Sequence, residues 1–412
     1  MKTVPLRHLA QVWSSSVDKH SHEDELSVQL CNYTDAYKRD TVRPGPDLMR
    51  ATATPDEIRR NRLEVGDTVF TKDSEDPNDI GISAYVDGTA HDFVCGYHLA
   101  IARPTTLAFP RFITWVLRSK PVLDHFATHA SGISRYGLSL DSLRSSPVPD
   151  VTHEDQRRIA DFLDDRVSRI DRIIAARRTQ GVLLTQQVKS ALAGLVLDGQ
   201  GTIPVRRLIH DEKLGLWGDD SGSSEVDVRV ARVADFDRRR FGLHRVPTER
   251  SAPYAQVKAR LLQVGDTLLE RSGGTHINPV GCPAYVEDLD GPTVCSNFVS
   301  RLRPREGVEG RYLSLVLGAL YWTRQQEPHS TQTTGIQNLN TGSYFKTEVP
   351  DRTQGEQEDL AVEGDAQIAS AMSQQAALTR SIELLTEYKQ SLITAAVTGQ
   401  LDVTTASTRI PE

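Results

Sequence analysis

Cysteine is scarce in this chain of 412 residues: there are four, Cys31, Cys95, Cys282 and Cys295, and no two share a CxxC spacing. Thiolate zinc sites and dithiol redox motifs are excluded on that ground, and so low a count fits a reducing compartment, the cytoplasm. Long apolar runs are missing as well. No stretch approaches the roughly 20 residues that cross a bilayer, so no membrane association is expected. Met1-Lys2-Thr3-Val4-Pro5-Leu6-Arg7 lacks the apolar core of a secretory leader. There is no GxxxxGK[ST] phosphate loop, no GxGxxG, no HExxH and no GxSxG, so ATPase, methyl-donor, zinc-protease and serine-hydrolase chemistry have no motif to rest on. The 12 His stand at no recognisable metal spacing. These absences point to a non-catalytic binding protein with no cofactor and no metal. Positive charge is short too: 48 Lys+Arg against 55 Asp+Glu leave a net charge of −7, which taken alone argues against a nucleic-acid partner.

What the chain does have is a repeat of itself, a feature that decides the architecture wherever it occurs. Val4-Pro5-Leu6-Arg7 returns as Ile203-Pro204-Val205-Arg206, and Val65-Gly66-Asp67-Thr68-Val69 as Val264-Gly265-Asp266-Thr267-Leu268. Ala84-Tyr85-Val86-Asp87 returns as Ala284-Tyr285-Val286-Glu287, Val94-Cys95 as Val294-Cys295, and Arg103-Pro104 as Arg303-Pro304. Val148-Pro149-Asp150 and Gly199-Gln200 return as Val349-Pro350-Asp351 and Gly399-Gln400, so the offset stays between 199 and 201 throughout. The chain is two copies of one module.

Each module opens with a mixed segment. Gly66-Asp67 and Gly265-Asp266 turn into short β-branched runs, while Arg111–Leu123 and Arg311–Arg324 each read as one helix with an apolar face. Each module closes differently. Between Glu154 and Leu197 there is no Pro, and apolar residues recur at spacings of three and four: Leu163, Val167, Ile170, Ile174, then Leu184, Val188, Ala191, Leu195. Arg177 and Gly181 interrupt the seam. Between Glu356 and Val397, Ile368, Met372, Leu378, Ile382, Leu385, Tyr388 and Leu392 make a comparable stripe. This is the heptad pattern of long helices packing on a partner helix, each on the order of 65 Å long. Thr152-His153-Glu154-Asp155 marks the start of one, and the Gly of each Gly-Gln pair can supply a left-handed cap.

The fold expected is α+β, with two similar globular heads separated by a pair of long antiparallel coiled-coil helices and related by a pseudo-twofold internal repeat. The boundaries are 1–150 for the first head, 151–199 for the first long helix, 200–351 for the second head, 352–400 for the second helix and 401–412 for a tail. Two unlike heads on one pseudosymmetric frame suit a ligand with two separated half-sites, as DNA offers.

The module ends carry a resemblance to a known family. Gly335-Ile336-Gln337-Asn338-Leu339 leads through Val349-Pro350 and Glu356-Gln357 into the second helix, which closes on Leu392-Ile393-Thr394-Ala395-Ala396-Val397-Thr398-Gly399-Gln400-Leu401-Asp402-Val403. In the first copy, Gly132-Ile133-Ser134 leads through Val148-Pro149 to Glu154-Asp155-Gln156-Arg157-Arg158-Ile159. Gly265-Asp266 through Arg271-Ser272-Gly273, and Cys295-Ser296-Asn297 through Leu302-Arg303-Pro304, complete the match. Over essentially its whole length the chain resembles the specificity (S) subunit of Type I restriction–modification systems. It departs at Glu356-Gln357-Glu358-Asp359-Leu360, where that family usually has basic residues after the Gln.

The resemblance implies that each head is a target-recognition domain reading one half of a split double-stranded DNA sequence. The helices, the family's central and distal conserved regions, set the gap and dock two methyltransferase (M) subunits. Restriction (R) subunits join in the full complex, and the S subunit itself is not an enzyme. Two other classes stay in view. A stand-alone enzyme fused to recognition domains would need a methyl-donor motif; Asn278-Pro279-Val280 has the Asn-Pro of the amino-methyltransferase motif but lacks its second Pro and aromatic. A coiled-coil scaffold without DNA would have heads free of polar and basic loops.

Base edges are read by Arg or Lys on guanine and by Asn or Gln on adenine, whereas phosphate contacts only position a protein. In the second head the candidates are Arg271, Ser272, Gly273, Gly274, Thr275 and His276, where paired Gly allow close backbone approach. Asn297 and the polar run Thr331, Gln332, Thr333 and Thr334 join them, and Arg238, Arg239 and Arg240 are candidates for phosphate. A hairpin turn, a solvated loop and a solvated charged face are the plain alternatives. In the first head, Lys72 and Ser74 align with the Gly loop, Ser131, Ser134, Arg135 and Tyr136 with the polar run, and Tyr97 and His98 follow Cys95. Cys95 and Cys295 read as packed strand residues. By segment, the net charge is −3 for 1–150, +1 for 151–200, 0 for 201–351 and −5 for 352–412. The excess acid sits on the second helix and tail, so the heads are near neutral and DNA binding is expected to need the M subunits.

Overall fold

Each head begins and ends in two strands that pair with each other. In the computed structural model, which describes residues 2–333 and 335–404, Thr3–Pro5 runs antiparallel to Pro147–Pro149, and Thr202–Pro204 pairs with Glu348–Pro350. The chain thus enters and leaves each head at one neck, and the long helix starts within a few residues of it. The chain divides into two units, Met1–Ala176 with Ser381–Glu412, and Arg177–Arg380. Each unit holds one head, part of the first long helix (His153–Leu197) and part of the second (Gln354–Thr398).

The two heads repeat one topology. The first has a five-stranded sheet in the order Ala10–Ser14, Leu99–Pro104, Thr68–Thr71, Ser83–Val86, Thr41–Val42, beside a three-stranded sheet of Met49–Ala53, Leu26–Cys31 and Phe93–Cys95. The second has six strands, Ile209–Leu214, Val299–Pro304, Thr267–Glu270, Pro283–Tyr285, Gly242–Leu243 and Phe236–Asp237, beside Glu249–Ala252, Val226–Ala231 and Thr293–Cys295. Thr68–Thr71 and Thr267–Glu270 lie inside their sheets with every residue buried, the setting that favours β-branched and apolar side chains. Side chains repeat as well. Arg103 donates two hydrogen bonds to Asp67 (2.8 and 2.7 Å), and Arg303 does the same to Asp266 (2.9 and 2.8 Å).

The one helix expected over Arg111–Leu123 is two, Pro110–Leu117 and Lys120–His129. Pro121 lies in the first turn of the second, where its missing N–H costs nothing, but it could not continue the first. The matching segment of the second head has no Pro and forms the single helix Gly310–Trp322.

Each long helix is fastened to its own head. The Gln156 side chain accepts a hydrogen bond from Phe109 N–H (2.8 Å), and Gln357 accepts one from Glu309 N–H (3.0 Å). Arg111 pairs with Asp164 (2.7 Å) and Arg311 with Asp365 (2.6 Å). Thr152 caps the first helix by accepting from Asp155 N–H (3.2 Å). Thr353 caps the second in a full capping box with Glu356. At the far end, Gly399 takes the left-handed conformation (φ 71°), but Gly199 does not; Gly201 does instead (φ 65°). Gly199 packs so closely on Arg352 and Pro350 that a Cβ would come within 2.6 and 2.9 Å of them.

In the first unit, Leu163, Val167, Ile170 and Ile174 are buried in one core with Leu392, Ile393, Ala396 and Val397, and Ile382, Leu385 and Tyr388 pack against it. Lys389 Nζ meets Asp171 across this seam at 2.7 Å. In the second unit the stripe is displaced. Leu184, Val188 and Leu195 are half-buried and Ala191 is exposed, whereas Leu192 and Val196 are fully buried with Ala361 and Ile368. A straight helix turns every 3.6 residues and drifts about 20° per heptad from a 3.5-residue stripe, so a register correct at Leu163 is off by a residue at Leu195. Leu378 is buried, while Met372 is 37% exposed.

Candidate nucleic-acid interface

Three loops meet at one edge of each head, and the same backbone hydrogen bonds hold them. In the first head, Lys72 N–H donates to His98 O (3.1 Å) and Leu138 N–H to Lys72 O (2.8 Å). Asp73–Ser74 pairs with Tyr136–Gly137, and Ser131 bridges to Gly137. In the second head, Arg271 N–H donates to Phe298 O (2.8 Å), Leu339 N–H to Arg271 O (2.8 Å) and Gly273 N–H to Gln337 O (3.0 Å). Half of the residues singled out from the sequence therefore converge: Lys72, Ser74, Tyr97, His98, Ser131, Arg135 and Tyr136 on one face, Arg271, Ser272, Gly273 and Asn297 on the other.

The first face is ionic and aromatic. Asp73 accepts hydrogen bonds from Arg135 Nε (3.0 Å) and Nη2 (2.5 Å), and its other oxygen lies 2.9 Å from His98 Nδ1. The ion pair holds the Arg135 guanidinium above its ordinary range. The Tyr97 ring lies over His98 with centroids 3.7 Å apart, and Tyr33 meets His98 edge-on at 6.5 Å. Burial pushes the Tyr33 hydroxyl up. Ser134 is exposed, while Ser74 is buried and supports the loop from within.

The second face is nearly neutral. Ser272 Oγ donates to Asn338 Oδ1 (2.6 Å), Val280 N–H donates to Gln337 Oε1 (3.3 Å), and the Phe298 ring is half exposed. Arg271 lies 3.7 Å from Glu212 and keeps a third of its side chain in solvent. Gly273 has φ 106° with open space beside it, so the turn itself requires it. Gly274 is buried, and a Cβ there would come within 2.3 Å of Val280 N; its small size serves packing rather than approach to a ligand. Thr275 and Asn278 close a turn that leaves His276 exposed. Thr331 and Gln332 are exposed on the strand Ser330–Thr333, which pairs with Ile336–Leu339. Thr334 lies outside the described residues.

Arg238 and Arg239 of the arginine run share a pocket with Ile277 and Asn278 of the glycine turn, but the run is largely tied down. Arg238 reaches inward, donating to Glu270 (2.7 Å) and to Tyr321 Oη (2.9 Å). Arg240 is held by Asp237, Glu287 and Leu243 O. Only Arg239 is exposed. Burial pushes the Glu270 carboxyl up to about 7, against the pull of Arg238, and pushes the Tyr321 hydroxyl up to about 12. Asp73, Phe298, Gln337 and Asn338 were missed as site residues. The repeat could have found Phe298, which stands 200 residues after His98. The repeat places Asp73 opposite Ser272, but its role depends on Arg135, 62 residues away.

Among the described residues, no cluster of His, Cys, Asp or Glu could hold a metal ion, and no helix is long and apolar enough to cross a membrane. All four Cys are buried free thiols.

Two solved structures match nearly the whole chain. One belongs to a study of complex assembly and conformational transition of the type I R-M system; it matches with a TM-score of 0.71 at 17% identity, over 97% of this chain and 98% of its own. The other, the HsdS subunit from Thermoanaerobacter tengcongensis, matches with a TM-score of 0.55 at 17% identity, over 97% of each chain. No family model and no curated protein matches the sequence. The resemblance read from the module ends therefore holds at the level of the fold, which is that of a type I S subunit.

Proposed function

We propose that this chain is the DNA-specificity subunit of a Type I restriction–modification complex. Each head reads one half of a bipartite double-stranded target, and the long helices set the gap and dock two M subunits. The chain performs no chemistry itself; methyl transfer belongs to the M subunits and ATP-driven cleavage to R subunits. The observation that carries this reading is the matched pair of three-loop faces. Two repeated heads present the same backbone frame with different polar side chains, which is what reading two different half-sites requires. Arg271, Arg135 and the exposed polar strand around Gln332 supply groups that reach base edges, and Arg239 is free to meet a phosphate.

The test is to express the chain with its neighbouring M subunit and map methylated adenines in host DNA. One bipartite motif, also bound in gel shift, is the expected outcome. A complex that neither binds nor methylates DNA would sink the reading.

A further inference from the structure

The two faces can be compared position by position because their backbones are in register. Lys72 N–H to His98 O matches Arg271 N–H to Phe298 O, and Leu138 N–H to Lys72 O matches Leu339 N–H to Arg271 O. Asp73 therefore stands where the second head has Ser272, His98 where it has Phe298, and Arg135 where it has Ile336. The first head places an acid, an imidazole and a guanidinium at three positions that are uncharged in the second. The Asp73 carboxylate holds the other two together, and its side chain is only 17% exposed, against 50% for Arg135.

Resting on the reading above, we propose that Asp73 is a positioning residue that aims Arg135 at a guanine in the first head's half-site. The second head, with Ser272 at that place, has no such device. Asp73 engages the Nε and Nη2 edge of Arg135, and Nη2 also lies 3.1 Å from His98 Nδ1, so the outer end of the guanidinium, with Nη1, is left to donate to a base edge. His98, held at Nδ1, keeps Nε2 as a second polar point beside it. Guanine is the base that offers two adjacent acceptors, N7 and O6, in the major groove. The ion pair also cancels the charge of Arg135, so this arginine adds little to general attraction for phosphate and serves base reading instead.

The test uses the complex with M subunits and the motif found by methylation mapping; the half-site insensitive to Arg271→Ala is assigned to the first head. Asp73→Asn keeps the shape and removes the charge. It is expected to lower discrimination against first-half-site substitutions about tenfold. Affinity for non-specific DNA should rise at the same time, with a salt dependence steeper by about one phosphate. A lesion that merely loosened the head would lower both. Discrimination in the second half-site should not change, and Asp73→Glu should restore part of the loss. Replacing the guanine by 7-deazaguanine, which lacks the N7 acceptor, should cost the parent about tenfold and cost Arg135→Gln nothing further. This arm does not depend on Asp73→Asn folding. A first half-site without guanine, additive effects of deazaguanine and Arg135→Gln, or unchanged discrimination in Asp73→Asn would each overturn the proposal. If the complex methylates a bipartite motif all the same, the functional reading survives that result.

Discussion

Glu270 stands one residue before Arg271 and is 1% exposed, so burial sets its chemistry. In the unfolded chain its carboxyl titrates near 4.5, and in the folded head near 7. Between those values unfolding releases a proton, so rising pH favours the unfolded state. The second head is expected to lose stability from about pH 4.5 to about 7 and to level off above. Glu270→Gln, a neutral stand-in for the protonated carboxyl, should flatten that window and hold the head near its low-pH stability across it. Thermal unfolding at stepped pH reads both effects, and a flat parent profile would contradict the account. Arg271→Ala makes a functional prediction at the same scale. It should weaken cognate binding and relax one half-site, at a cost of roughly 1–3 kcal/mol, and unchanged ratios of cognate to non-cognate affinity would remove Arg271 from the reading surface. At this scale the sequence was legible in part. Arg135, His98 and Arg271 stand out by type and by place in the repeat, but the partners that aim them come from distant segments. Arg238 looked like a phosphate contact because a charge run does not disclose the carboxylate buried beneath it.

Single helical elements were easier to read, because capping and apolar spacing are local. The start of the first long helix shows this, with Asp155 three residues after Thr152; the same Thr-to-carboxylate spacing at Thr353 and Glu356 marks the second in the structure. Thr152→Ala and Thr353→Ala should each cost about 1 kcal/mol. What spacing alone did not disclose was the drift of the buried face, which moves from Leu195 to Leu192 and Val196. Leu163→Ala, at a fully buried site, should cost about 2–5 kcal/mol. Leu195→Ala, at a half-buried one, should cost clearly less. Urea denaturation of the two variants compares them directly, and equal losses would mean that the displaced stripe carries no energetic weight. The helix broken at Pro121 belongs here too. Its apolar face continues across the break, so periodicity ran on where the backbone could not.

For the whole molecule, the repeat was the strongest signal in the sequence, and it returns in strand order, in the Arg–Asp pairs and in the two necks. Charge distribution makes a prediction at this scale. With near-neutral heads and most of the excess acid on the second helix and tail, the chain alone should bind DNA weakly at physiological salt. Addition of M subunits should raise affinity and steepen its dependence on salt. Gel shifts across a salt series test this, and tight binding by the isolated chain would contradict it. The necks have a consequence for inheritance. Because Thr202–Pro204 lies against Glu348–Pro350, a head is an insert whose two ends meet. A genetic crossover at each side of the neck would exchange everything between them and leave both helices in place, provided the incoming head again meets Gln357 and Asp365 as Glu309 and Arg311 do and covers Leu192, Val196, Ala361 and Ile368. A lineage could thus acquire a new half-site in one recombination event without inventing a new assembly. A chimera carrying a foreign head between Pro204 and Glu348 should fold and keep the first half of its methylation motif.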